Sequence, residues 1–221
     1  MTEFGSFSKL FDDKGLYLTL LNLHTPETSR ALEEVKKAGE QSPDIQEELS
    51  KLFCEPDWRP HLVAAATLAF IKPAKPNFAS AWEAFDQGSW VCPQLAAVLA
   101  LYDKNFKSEA IKRLILGCLS TRPMRLETVV HQTGHPSLPH YVVEFPKLPS
   151  ASSADLPDVP PLNVKNISAL TGLLADCPDP EIKVLLARPE TLAAVAADAD
   201  HGNQIATQWK TAFQRLVQNL V

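Results

Sequence analysis

Two stretches of the chain carry the same pattern of apolar and polar positions: WRPHLVAAATL at residues 58–68 and SWVCPQLAAVLAL at residues 89–101. In each, a tryptophan and a proline stand directly before an apolar run. Proline is favoured in the first turn of a helix, where its missing N–H would have no partner anyway. Aligning Pro60 with Pro93 pairs Leu62 with Leu95, Ala64 with Ala97 and Leu68 with Leu101, a spacing of 33 residues that suits a helix–turn–helix repeat. Trp58 and Trp90 are then predicted just before the helix starts, each folded back on the first turn as a hydrophobic staple.

The same logic orders most of the remaining chain. Thr25 caps a helix that opens with Pro26 and stops at Gly39, and Ser42 caps PDIQEELSKLF, with Ile45, Leu49 and Leu52 on one face. Asn77 precedes FASAWEAFD, closed by Gly88, and Asn105 begins FKSEAIKRLILGCL. From Asn163 on, VKNISALTGLLADC, DPEIKVLLA and PETLAAVAAD read as three helices. A long last helix follows, capped by Asp200, with Ile205, Trp209, Phe213 and Leu216 at near-helical spacing. Between Thr121 and Leu162 the pattern breaks, because eight of the 18 prolines fall there. Helix cannot persist at that density, so this segment is an irregular excursion in which YVVEF (Tyr141–Phe145) can form a short strand. The expected fold is all-α within one domain, residues 1–221. It is a short α-solenoid of stacked antiparallel helix pairs with one long Pro-rich irregular insertion.

The stretches DWRPHLVAAATLAF and GSWVCPQLAAVLALYDKNFKSEAIKRL, within residues 57–116, resemble the HEAT and armadillo class of α-solenoid repeat proteins. The likeness is one of architecture, and residues 121–162 depart from it. It implies a scaffold that offers a curved surface to partners. A minority of that class, the HEAT-like DNA glycosylases, are enzymes with a basic groove, whereas this chain is acidic.

Charge and cysteine content sharpen the functional expectation. The net charge is −5, and residues 1–60, with twelve acidic and seven basic side chains, account for all of it. That distribution disfavours nucleic acid, which needs clustered Lys and Arg, and suits a basic protein partner. The acidic start, MTEFGSFSKLFDDKG, lacks a signal-peptide pattern, and the longest apolar stretch, Leu62–Ile71, is ten residues where a bilayer span needs about 20. Cys54, Cys92, Cys118 and Cys177 lie far apart without a CxxC pair, as in reduced cytoplasmic proteins.

Candidate chemistry is sparse. His131, His135 and His140 cluster in HQTGHPSLPHY, but Gly134 and Pro136 break the helix that a metal pair would need. Cys92 at a helix start would need a base such as His61 or His201 to serve as a nucleophile. DADHGN (198–203) lacks the ligands of a calcium loop and reads as a turn. No nucleophile elbow, phosphate loop or dinucleotide fingerprint is present, and no cofactor is expected. The sequence therefore favours a non-catalytic protein–protein interaction module, for example an immunity (antitoxin) protein that neutralises a basic toxic partner. The alternative is an enzyme, a hydrolase or a HEAT-like nucleic-acid glycosylase, whose site assembles from distant helices. The expected partner-binding residues are Glu33, Glu34, Asp44, Glu47 and Glu48 on an acidic helix pair, together with Trp82 and Trp90 flanking the turn WEAFDQGSW.

Overall fold

The computed structural model describes residues 4–12, 15–70, 78–119, 125–129, 143–147, 164–199 and 201–220. Two short 3-10 turns and two short helices, α1 (Ser8–Asp12) and α2 (Thr19–Asn22), lead into α3 (Pro26–Gln41), α4 (Ile45–Cys54) and α5 (Trp58–Thr67). Then come α6 (Phe78–Asp86), α7 (Cys92–Tyr102) and α8 (Phe106–Leu119). A two-stranded antiparallel sheet, β1 (Arg125–Val129) with β2 (Val143–Lys147), precedes α9 (Val164–Leu174), α10 (Pro180–Leu186), α11 (Pro189–Ala197) and α12 (Gly202–Gln218). Among the described residues the fold is all-helical apart from this one hairpin, which lies inside the Pro-rich excursion. Its register runs from Arg125 opposite Lys147 to Val129 opposite Val143, so Val143–Phe145 of the expected YVVEF strand lie in β2, while Tyr141 and Val142 lie outside the described residues.

Pro60 and Pro93 both sit in the first turn of a helix, as the aligned pattern predicts. The starts themselves differ. The Asp57 carboxylate accepts from the Arg59 N–H at 3.0 Å, which opens α5 at Trp58 itself and puts Pro60 third in the helix. Helix α7 opens at Cys92, whose N–H donates to the Ser89 carbonyl, with Pro93 second. Leu62 and Leu95 are 0% and 1% exposed. Ala64, Ala65 and Ala66 of α5 and Ala96 and Ala97 of α7 are buried with them, and these small side chains let neighbouring backbones approach.

Three boundaries shift from the sequence reading for identifiable reasons. Helix α3 runs through Gly39 to Gln41; Gly39 lies inside the helix beside the Thr67 methyl of α5, where an added Cβ would make an ordinary contact at 3.4 Å. Ser42 therefore ends α3, and the cap of α4 is Asp44, whose carboxylate accepts from the Glu47 N–H. Asp200 lies outside the described residues; the carboxylate that caps α12 is Asp198, accepting from the Gly202 N–H at 2.6 Å. A Cβ at Gly202 would lie 2.6 Å from the Lys165 carbonyl, so only glycine permits this approach of α12 to α9.

Neighbouring helices stack in chain order, α3 on α5, α4 on α5 and α6, α5 on α7, and α7 on α9. Helix α12 packs on both α9 and α7. Two bonds tie its end of the chain to the beginning. The Trp209 indole N–H donates to the Leu20 carbonyl, and Lys36 Nζ donates to the Leu220 carbonyl, both at 2.8 Å. No helix among the described residues is long and apolar enough to cross a membrane.

Candidate functional site

The short turns and helices at the start of the chain bring three aromatic rings alongside Trp58 and Trp90. Phe4 packs on Phe11 at 4.3 Å between ring centroids, Phe11 on Tyr17 at 5.6 Å, Tyr17 edge-on to Trp58 at 6.2 Å, and Trp58 on Trp90 at 4.8 Å. The result is a ridge of five rings. Its first four members are half-buried, whereas Trp90 ends it 56% exposed. Trp90 precedes the cap residue of α7, and its ring lies against that of Trp58. Arg59, ion-paired with Asp57, lies over the Trp58 ring at 5.2 Å. Lys165 lies over the Trp90 ring at 5.2 Å and donates to the Trp90 carbonyl at 3.1 Å. Each cation–π contact adds a further restraint on an indole that already packs on its aromatic neighbour.

The two tryptophans form part of the wall of an open cleft of about 610 Å³, which is also lined by Glu55, Pro56, His61, Gln87, Gly88 and Ser89. Helix α6 ends at Asp86, and Gly88, at a φ of +81°, makes the left-handed turn that closes it. The Gly88 and Ser89 N–H groups donate back to the Phe85 and Ala84 carbonyls. At the cleft floor, buried His61 bonds through Nδ1 to the Ser89 hydroxyl at 2.8 Å and through Nε2 to the Glu55 carbonyl at 2.7 Å. Burial lowers the His61 pKa from 6.5, against the opposing pull of the Glu55 and Phe53 carbonyls.

The expected partner-binding residues fare unequally. Trp82 is 5% exposed, its indole N–H donates to Asp103 at 2.9 Å, and Arg113 lies 4.0 Å over its ring. It is a core residue, almost wholly withdrawn from the surface. Arg113 also holds Asp86 through two parallel bonds of 2.7 and 2.8 Å and Glu109 at 2.9 Å. A second cleft, of about 480 Å³ beside Trp82, is lined by Arg113 and by the carboxylates of Glu83, Asp103 and Glu109, of which Glu109 is paired with Arg113 and Asp103 is bonded to Trp82.

On the acidic helices, Glu34 pairs with Lys9 at 2.6 Å, which holds its carboxyl below the ordinary value. Glu48 accepts from the Ser6 N–H and hydroxyl, Asp44 caps α4, and Glu47 pairs with Lys51. Much of the acidic charge thus secures local structure. Glu33 and Glu40 are exposed, as are Asp44 and Glu47. The ridge starts where these helices are joined to it, since Phe4 adjoins the Gly5–Ser6 turn held by Glu48.

Cys92 is buried and donates to the Phe85 carbonyl, and burial pushes its thiol pKa up, the reverse of what a nucleophile needs. His61 is bonded to Ser89, so the histidine considered as a base for Cys92 serves a different side chain. His201 is exposed. His131, His135 and His140 lie outside the described residues, and among those described no group of His, Cys, Asp and Glu is placed to hold a metal. The aromatic contributions of Phe4, Phe11 and Tyr17 escaped the sequence reading because their helices are too short to show a period. The His61–Ser89 pair joins two residues 28 apart that no motif marks.

Comparison with known proteins found no match: no protein-family model, no curated protein and no solved structure resembles this chain.

Proposed function

We propose that this chain is a protein-binding module that grips a basic protein partner through the aromatic ridge. The observation that carries the reading is Trp90, 56% exposed yet held between Trp58 and Lys165. A large aromatic side chain that is already ordered loses little entropy when covered, which is the character of a binding hot spot. The exposed carboxylates of Glu33, Glu40, Asp44 and Glu47 lie on the helices that the ridge adjoins, and they supply the long-range attraction for a cationic surface. Such a division of labour, charge for encounter and aromatics for retention, fits an immunity (antitoxin) protein that neutralises a basic toxic partner.

A photo-crosslinking residue placed at Gln87 in the Trp58–Trp90 cleft should trap the partner in the producing cell, whereas the same residue at exposed Val184 on α10, which is not part of the ridge, should not. With the purified partner, Trp90→Ala should speed dissociation at least tenfold. Reversing Glu33, Glu40 and Glu47 to Lys should slow association about tenfold or more at low salt. Glu34 and Glu48 are left intact in that variant because they hold the N-terminal turn. An association rate indifferent to salt and to the reversal, with a dissociation rate indifferent to Trp90→Ala, would refute the reading.

A further inference from the structure

We propose that Ser89 is a nucleophile activated by His61, able to take the acyl group of a carboxylic ester bound in the Trp58–Trp90 cleft. The protonation of the pair follows from its partners. The Glu55 carbonyl can only accept, so His61 Nε2 carries the hydrogen and donates at 2.7 Å. A neutral imidazole then presents a lone pair at Nδ1, and the Ser89 hydroxyl, 2.8 Å away, donates into it. This is the arrangement of a nucleophile, a base and a group that orients the base. The usual roles of the two ring nitrogens are exchanged, and a backbone carbonyl takes the place of an orienting carboxylate.

Three features separate this pair from a structural tie. The turn that carries Ser89 is closed by its own backbone, since the Gly88 and Ser89 N–H groups donate to Phe85 and Ala84. The serine hydroxyl is therefore not needed to form it. Both His61 and Ser89 line an open cleft, and its walls of Trp58, Trp90 and Pro56 suit an aryl or short acyl group. His61 also stays neutral, because burial disfavours its charged form, so it is available as a base at neutral pH.

In the reaction the Ser89 oxygen bonds to the ester carbonyl carbon as its proton passes to His61 Nδ1, and the carbonyl π pair moves to oxygen. Collapse breaks the bond to the alcohol, which leaves with the proton from Nδ1. Water, deprotonated by Nδ1, then attacks the acyl carbon, releases the carboxylic acid and restores the Ser89 hydroxyl. During both steps the imidazolium is held by the Glu55 carbonyl and favoured by the nearby Glu55 and Asp57 charges. Since the Gly88 and Ser89 N–H groups are already engaged, the donor assigned to the developing oxyanion is the carboxamide of Gln87, the one side-chain amide in the cleft wall.

The test treats the intact protein with a fluorophosphonate probe and, separately, with p-nitrophenyl acetate. Folded protein should be labelled at Ser89, as read by peptide mass mapping, and urea-unfolded protein should not. Ester turnover should vanish in Ser89→Ala with the urea midpoint nearly unchanged. It should fall about a hundredfold or more in His61→Gln, the range expected for a general base. Ser89→Cys guards against loss of fold in the histidine variant: alkylation at position 89 should be faster than at exposed Cys54 in the same molecule. No label at Ser89, turnover that survives Ser89→Ala, or a position-89 thiol no faster than Cys54 would each overturn the proposal and leave His61 as a tie between two loops. None of these measurements depends on the partner proposed for the ridge.

Discussion

Replacing Leu95 with alanine tests the register on which the helical plan rests. Leu95 is 1% exposed on α7, the helix enclosed by α5, α6, α9 and α12. The substitution removes three carbons, and at roughly 0.8 kcal/mol for each buried CH₂ the lost transfer term is about 2.4 kcal/mol. A residual cavity adds to that. With helices on several sides the site cannot collapse freely, so we expect a total in the upper part of the range of about 2–5 kcal/mol seen for buried Leu→Ala. Urea unfolding followed by circular dichroism measures it, provided the slope with denaturant matches that of the parent chain. Leu192→Ala is the control: Leu192 is 55% exposed, so its loss should stay within about 0.5 kcal/mol. A Leu95→Ala loss below about 0.5 kcal/mol would show that this face of α7 does not pack as described. The alignment of Pro60 with Pro93 would then fail as well.

Arg113, whose side chain is only 12% exposed, holds Asp86 and Glu109 and covers Trp82. Arg113→Ala should cost about 1.5–3 kcal/mol and Arg113→Lys less, because lysine keeps the charge and loses the planar fork; the same urea titration reads both. His61 gives stability a pH dependence near neutrality. Its folded pKa lies below 6.5, so the unfolded chain takes up the proton first, and stability present above about pH 6.5 falls as pH drops towards the folded value. Urea midpoints between pH 7.5 and 5 should show this slope, and His61→Gln should flatten it. Glu34 and Glu109, held below their ordinary value of 4.5 chiefly by Lys9 and Lys112, contribute a separate loss at more acid pH. Cys54 should react with a thiol-specific chromogenic disulfide within the mixing time of a bench assay, whereas buried Cys92 should react only as the protein unfolds.

Much of the helical plan was legible before any coordinates, because proline, capping carboxylates and apolar period act within a few residues of one another. Pro26, Pro93, Pro180 and Pro189 each stand in the first two positions of a helix for the local reason that placed them there on paper. The burial of Leu62 and Leu95 follows from the same apolar runs. Local cues also competed. Ser42 and Asp44 can both cap, and the carboxylate prevailed because α3 runs on through Gly39 to Gln41, which leaves Ser42 at the end of that helix.

What the rings and the polar pair do was a tertiary decision. Trp82 and Trp90 are eight residues apart at the two ends of one turn. One became core because Asp103, just past the end of α7, and Arg113 of α8 approach it, while the other stayed outside on Trp58. The charge of Glu34 and Glu48 went to Lys9 and Ser6, partners more than twenty residues away. The hydrogen bond between Ser89 and His61 exists only because α5 and the α6–α7 turn meet. Contacts of that kind depend on how whole helices pack, and packing sums many weak long-range terms that no short stretch of sequence carries.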